Sequence, residues 1–494
     1  VRNPKVVLGQ GGYYTVTLTV TDGNGLSSTK TVSNMIELID NCSPDTIPGL
    51  AMRCLANGDY ANVPDLGIGE TNTFTVSAWI KPNGVQDEYT GIVMGDGPAA
   101  GLNFRPNMKL AYHWPGGQWW WDSGLTVPAD EWSHVAMVVS PTSITVYLNG
   151  VGATHNIVPQ MVNMQTMKIG SYQAWDGRNF RGEIDEVCIW NRSLTQNEIR
   201  ELRHLTRTGP TPYTNDLVAY YQFNLPNTVI INDRIGLNHA SLNGGATKVA
   251  SSAPVGGGMS DRLTISADGS VVFPNTQTTI VLAPGTAWTG EVVVSRLHVD
   301  PNVSPSSNSN MNQYWIVNNY GSTPALPLQS LTFTTTFITP TGAASSVQLS
   351  NRGDNAHLNE WNNLCTAANI TGNSIQFNST CNINNFGQFV ASSPNFTQVS
   401  IEEVLENNIV IYPNPSTGIF HISLPSQQTF LIEVVDNMGR VVLNEGNTEN
   451  TTTLDLSNQA SGVYLIRLTD VSRQCKFWES GEKVNSQSNF THSN

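Results

Sequence analysis

Two stretches carry side chains whose type and spacing could do chemistry. The first is Gly182-Glu-Ile-Asp-Glu-Val-Cys-Ile-Trp190, with three acids at Glu183, Asp185 and Glu186. Its β-branched and aromatic residues mark a strand. Alternation puts Glu183 and Asp185 on one face and Glu186 on the other. Two carboxylates about 5–5.5 Å apart can act as nucleophile and acid/base on a glycosidic bond. The second stretch is Tyr112-His-Trp-Pro-Gly-Gly-Gln-Trp-Trp-Trp121. Read as a strand, three consecutive Trp alternate faces, so at least one points outward. An exposed aromatic plane can stack on the apolar face of a sugar ring. Trp114, Trp119, Trp120 and Trp121, with Trp175 in another polar loop, are therefore candidate ligand residues. The competing reading keeps Trp119 and Trp121 in the core and puts Trp120 at a sheet edge.

Composition narrows the rest. The chain has 494 residues, enough for three or four domains. It is 13% charged and holds 42 Gly and 26 Pro, which fits several β-domains with polar turns. The net charge is −14 with no Lys/Arg cluster, so nucleic acid and anionic membrane are poor partners. The acidic surface is compatible with calcium and with neutral glycans. No apolar run reaches the roughly 18 residues of a membrane helix. The first residue is Val1 rather than Met, and the chain reads as a fragment or mature product. No HExxH, GxSxG, Walker or strand–helix GxGxxG pattern occurs. Arg352-Gly-Asp354 reads as a loop tripeptide, and the Asn-x-Ser/Thr sites at Asn378 and Asn395 as turn chemistry.

Six cysteines without a CxxC pair argue against zinc. Cys365 and Cys381 could close a loop of about 15 residues, worth roughly 3 kcal/mol in the chain-entropy model. Cys42, Cys54 and Cys188 lie near the ends of the central domain; one pair among them is expected, and Cys475 is left over.

The elements that must position these residues lie between Asn72 and Leu205. Phe74-Thr-Val-Ser-Ala-Trp-Ile-Lys-Pro82, Glu131-Trp-Ser-His-Val-Ala-Met-Val-Val139 and Ser143-Ile-Thr-Val-Tyr-Leu-Asn-Gly150 are alternating strands closed by Pro or Asn-Gly. After the acidic strand, Ser193-Leu-Thr-Gln-Asn-Glu-Ile-Arg-Glu-Leu202 predicts one small helix, with Ser193 as N-cap and Gln196 in capping-box position. These four phrases, in this order, resemble the LamG-like jellyroll, a concanavalin-type β-sandwich. The likeness begins at Ala51-Met-Arg-Cys-Leu-Ala-Asn-Gly-Asp-Tyr60. It closes with the expected strands Leu217-Val-Ala-Tyr-Tyr-Gln-Phe223 and Asn238-His-Ala-Ser-Leu242.

The resemblance sharpens two expectations. Glycoside hydrolases on this jellyroll carry E-x-D-x-E or E-x-D-x-x-E. Here the third place falls on Val187 or Cys188, neither of which can protonate a leaving group, so the acids are read as structural and no hydrolysis is expected. The family also implies calcium, for which Asp59, Asp176 and Asp185 are the candidate ligands.

Three further segments flank this one. Gly12-Tyr-Tyr-Thr-Val-Thr-Leu-Thr-Val-Thr-Asp-Gly-Asn-Gly25 resembles the last hairpin of a PKD domain, an immunoglobulin-like spacer, so 1–38 is read as a truncated domain. Short strands across 255–398 predict another sandwich. Its "YWIVNNYG" and "FGQFV" are similar to an uncharacterised module of secreted Bacteroidetes proteins. From 400 to 494, "YPNPSTG", "DNMGR" and "LSNQASGVYLIRL" closely resemble the type IX secretion C-terminal sorting domain, which implies export to the outer surface. The tail after Asp470 departs from that family's apolar last strand.

The fold expectation is all-β, with several β-sandwich domains in tandem and a jellyroll at 49–254. The leading functional expectation is a non-catalytic secreted or surface protein that binds a glycan or matrix-type ligand, or adheres, and engages the type IX machinery. One alternative is the accessory part of a secreted hydrolase whose catalytic domain lies upstream; another is a structural spacer.

Overall fold

The structure is a computed structural model. It describes residues 49–398 apart from 173–176, 208–215, 237, 267, 286–288, 306–311, 322–327, 336–337, 341, 382, 384–385 and 395. Outside that span it describes 12–21, 27–38, 410–412, 418–423, 430–435, 441–447, 451–459, 463–470 and 490–491. The protein is nearly all-β and divides into two units. Residues 47–400 form one, and 1–46 with 401–494 form the other.

The jellyroll occupies the first half of the 47–400 unit. One sheet runs Val151–His155, Ser143–Leu148, Ser133–Ser140, Phe74–Pro82, Gly182–Trp190, Leu50–Cys54 and Thr247–Ala250, with Leu217–Tyr221 also paired to Gly182–Trp190. The facing sheet runs Ile230–Ile231, Ala240–Asn243, Tyr60–Val63, Met167–Ile169, Gly91–Gly95, Gly101–Arg105 and Lys109–His113. Alternate residues of both sheets meet between them: Val76, Ala78 and Ile80 from one strand, Val135, Met137 and Val139 from its neighbour, and Leu102, Phe104, Leu110 and Tyr112 from the opposite sheet. Burying such side chains contributes about 1.5–3 kcal/mol each, which is what holds two amphipathic sheets face to face.

The strand Gly182–Trp190 breaks the simple alternation. Asp185 pairs with Trp79 and Cys188 with Ser77, so Glu186 and Val187 together oppose one residue, Ala78. This is a β-bulge, with Glu186 at φ +52°. Ile184, Val187 and Ile189 face the core, while Cys188 and Trp190 join the cluster on the outer face. The Glu186 carboxylate bonds Tyr220 and Gln222 and so lies on that outer side too. The sequence-based expectation that Glu186 opposes Glu183 and Asp185 is corrected here, because an inserted residue shifts the period.

The helix Gln196–Leu202 forms as expected, but its cap is different. Thr195 is the N-cap: its Oγ1 accepts from the Glu198 N–H, and the Glu198 carboxylate accepts from the Thr195 N–H, at 3.3 and 2.7 Å. Ser193 instead donates to the Val139 carbonyl at 2.5 Å.

A second sandwich follows. Its six-stranded sheet runs Gly258–Ile265, Gly290–Leu297, Tyr314–Asn319, Gln388–Ser392, Gln348–Arg352 and Asn362–Thr366. The five-stranded partner runs Gly269–Phe273, Thr278–Leu282, Leu328–Thr334, Ser374–Asn378 and Asn369–Thr371. Trp315 stacks on Phe333 in its core, ring centroids 4.2 Å apart. Cys365 and Cys381 form the disulfide expected of them.

In the other unit, Gly12–Thr21 and Ser27–Leu38 make an antiparallel hairpin. Val410–Tyr412, Ile419–Ser423 and Thr451–Asp455 form a small sheet, and Phe430–Val435 lies between Val441–Asn447 and Val463–Asp470. Residues 471–489, most of the atypical tail, lie outside the described residues.

Candidate functional site: an aromatic turn at the jellyroll edge

The aromatic run begins on the last strand of the seven-stranded sheet, Lys109–His113, and leaves it at once. Two tight turns follow, closed by the Gly117 N–H on the Trp114 carbonyl at 2.8 Å and the Trp121 N–H on the Gln118 carbonyl at 2.9 Å. The three Trp are thus in a turn and not on a strand, as alternation had predicted. Gly116 sits at φ +78°, where a Cβ would also meet the Gln160 side chain at 2.7 Å. Gln160 pins the turn: its carbonyl accepts from the Trp114 indole N–H at 2.9 Å.

This geometry sorts the candidates. Trp114 is 2% exposed and packs near Phe74 in the core, which removes it from any ligand face. Trp121 is half-buried and stacks flat on His155, centroids 4.9 Å apart at 6°. The Tyr112 hydroxyl meets His155 Nδ1 at 2.8 Å. Burial lowers the His155 pKa, which favours the neutral ring. Trp119 and Trp120 are 50% and 55% exposed and lie edge to face at 5.4 Å. Trp175 lies outside the described residues.

Sequence reasoning missed the neighbours of this turn. Tyr89 lies edge-on to Trp119 at 5.9 Å. It has φ +64°, a conformation costly for a bulky residue, and its N–H donates to the Phe104 carbonyl at 2.9 Å. Arg105 and Arg178 both stand over the Tyr89 ring, at 5.6 and 4.9 Å. Arg178 also covers Tyr172, at 5.0 Å. No short motif joins these residues; strand pairing assembles them.

The acidic strand is a closed structural site. Glu183 pairs with Arg53 at 2.7 Å and Lys81 at 2.8 Å. Asp185 is fully buried and accepts from the Ser251 hydroxyl at 2.6 Å and the Glu186 N–H at 2.8 Å. Burial, then the nearby Glu186 charge, holds Asp185 well above the usual carboxylate range. Asp59 accepts three backbone N–H groups, from Leu55 and Ala56 at 2.9 Å and Gly245 at 2.7 Å. Protein donors thus take three of the roughly four acceptor positions of Asp59 and two of those of Asp185. Asp176 lies outside the described residues. Among the described residues no group of three or more His, Cys, Asp or Glu is placed to hold a metal ion.

Cys54 and Cys188 are both free and buried, so the one pair expected among Cys42, Cys54 and Cys188 does not form. Cys54 packs between the sheets and pairs in register with Gly182, six residues from Cys188 on the same neighbouring strand. At about 3.3 Å per residue the two are far beyond disulfide reach. Burial pushes both thiols up to about 12. Cys42 lies outside the described residues.

The geometry can be set beside known proteins. Residues 55–200 match the concanavalin A-like lectin/glucanases superfamily. Residues 410–476 match the secretion system C-terminal sorting domain. The chain carries a concanavalin A-like domain and a type IX sorting domain. It is therefore a protein of the cell exterior, secreted or held at the outer surface, and no helix among the described residues is long and apolar enough to cross a membrane. No curated protein matches the chain. Among solved structures, it is similar to a candidate carbohydrate binding protein from Bacteroides ovatus, at 18% identity and TM-score 0.33, covering 50% of this chain and 72% of that one. It is also similar to domain 4 of an extracellular arabinanase from Geobacillus stearothermophilus, solved with arabinotriose, at 25% identity and TM-score 0.24, covering 28% and 69%. A third is the sialidase of Trypanosoma rangeli with sialic acid, at 15% identity and TM-score 0.26, covering 35% and 30%.

Proposed function

We propose that this exported protein binds glycans without cleaving them, through the Trp119–Trp120 turn with Tyr89 beside it. The observation that carries the reading is the pair of half-exposed indoles on a turn whose base is fixed by the buried Trp114 and by Gln160. Leaving large aromatic area in water forgoes the free energy that burial would give. A rigid turn that holds two such rings outward is preorganised for a planar apolar ligand face, and a pyranose ring supplies one. The acidic strand supports the non-catalytic part: Glu183 is engaged by Arg53 and Lys81, Asp185 by Ser251, and Glu186, which the bulge brings to the same side, by Tyr220 and Gln222.

The test pairs binding with stability. Trp119→Ala and Trp120→Ala should each weaken glycan-array binding by about tenfold or more while leaving the melting temperature nearly unchanged. Trp114→Ala should instead destabilise the fold, by about 3–5 kcal/mol. If the exposed-Trp variants bind like wild type, the turn is not the ligand face.

A further inference from the structure

The same turn carries more than stacking area, and what lies beside it bears on the kind of sugar. Arg105, at the end of Gly101–Arg105, donates to the Tyr89 hydroxyl at 3.2 Å and to the Trp119 carbonyl at 3.3 Å. Both acceptors are neutral, and a guanidinium has five N–H donors. Among the described residues no carboxylate forms an ion pair with Arg105. Arg178 is held from its backbone: its carbonyl accepts from the Gly91 and Tyr172 N–H groups at 3.1 and 3.2 Å. Its guanidinium is placed over both Tyr89 and Tyr172. Burial, then the Arg178 charge, lowers the His113 pKa. Glu88 is the acid beside the pair, and it helps burial to raise the Tyr89 pKa.

We propose that this aromatic face selects anionic saccharides, with Arg105 and Arg178 receiving a carboxylate or sulfate while a neighbouring ring lies on Trp119 and Trp120. The inference rests on the glycan-binding reading and adds the substrate class. Its physical basis is that a guanidinium offers a planar fork matched to carboxylate and sulfate oxygens, and one already stacked on an aromatic ring loses little freedom on binding. The chain as a whole is −14. Overall charge therefore disfavours a polyanion, and a local pair of arginines reverses that field only within about a Debye length, near 8–10 Å. Binding should consequently be short-ranged, confined to this edge and sensitive to salt.

The experiment uses the full chain and four probes, read by tryptophan fluorescence: polygalacturonate, its methyl ester, dextran sulfate and dextran. The expected result is that at least one anionic polymer binds about tenfold or more tighter than its neutral counterpart, and that added salt weakens it. A preference confined to polygalacturonate assigns a uronate, and one confined to dextran sulfate assigns a sulfate ester; either supports the proposal. Arg105→Gln and Arg178→Gln should each remove most of the preference, with Arg→Lys at the same positions restoring part of it. The wild-type comparison of acid and ester stands even where a variant fails to fold. Equal affinity for charged and neutral forms overturns the inference, as does binding by none of the four or Arg→Gln variants that keep the preference. If in those cases Trp120→Ala still weakens binding to a neutral glycan, the glycan-binding reading survives alone; if it does not, both fall.

Discussion

Asp59 and Asp185 are both carboxylates withdrawn from water, and they answer that withdrawal in opposite directions. Burial alone would raise Asp59, but its three backbone N–H donors outweigh it and hold the pKa below 3.8. Asp185, with burial and the Glu186 charge against ionisation, is held well above 3.8. The linkage signs follow. Asp59 binds fewer protons in the folded state, so its contribution is present above its unfolded pKa and is lost as pH falls through the lower folded value. Asp185 keeps its proton in the folded state after the unfolded chain has lost it, so native stability falls as pH rises from its unfolded value toward the raised one. Asp59→Asn should therefore cost most near neutrality and least in acid. Asp185→Asn should improve relative to wild type as pH rises above the unfolded carboxyl value toward the raised folded one. Melting curves across that range check both; a wild-type-minus-Asp185→Asn difference that stays flat with pH would show that the group titrates alike in both states.

At the scale of elements, one-sided periodicity was readable and its local exceptions were not. Phe74–Pro82, Ser133–Ser140 and Ser143–Leu148 lie where alternation put them. The bulge at Glu186 escaped because its carboxylate partners are Tyr220 and Gln222, 34 and 36 residues away. The Trp turn escaped for the same reason: Trp119 to Trp121 have strand-like propensity, and what bends them is Gly116 pressed against Gln160 and the Trp114 bond to the Gln160 carbonyl, 46 residues on. The helix start was placed two residues early because Ser193-x-x-Gln196 and Thr195-x-x-Glu198 are both capping-box patterns. Glu198 wins by also pairing with Arg192 at 2.8 Å. Thr195→Ala should thus destabilise by about 0.5–2 kcal/mol. If Gln196→Ala costs as much in thermal or denaturant unfolding, the assignment of Glu198 as the box residue is wrong.

At the scale of the molecule, the order of the jellyroll strands and the sorting domain were legible because their phrases recur at fixed spacing. The covering of the jellyroll's outer face was not, since it depends on residues from two sandwiches. Gly182–Trp190 is buried on both faces along its whole length. Arg203, buried at the end of the helix, donates to Asp354 at 2.9 Å and to Asn355 at 2.6 Å. Asp354 closes the Arg-Gly-Asp tripeptide, whose Arg352 is itself buried against Trp361, so the tripeptide is part of a junction. Arg200 and Arg262 both pair with Glu291, and Arg262 also with Glu201. Leu205 packs with Leu297, Tyr314, Ile316 and Val390 of the second sandwich. Exposed ion pairs are worth little singly, but these are tied to an apolar cluster and to a nearly buried guanidinium. A fragment ending at 254 would expose Leu205, leave Arg203 without its acid, and lose Val255 from the cluster around Trp79 and Trp132. Residues 47–254 alone should therefore melt well below 47–398 and bind a hydrophobic dye. Asp354→Ala in the longer chain should move partway toward that behaviour. Equal melting temperatures for the two fragments, with no dye binding, would mean the jellyroll is stable without its cover and the junction is only contact.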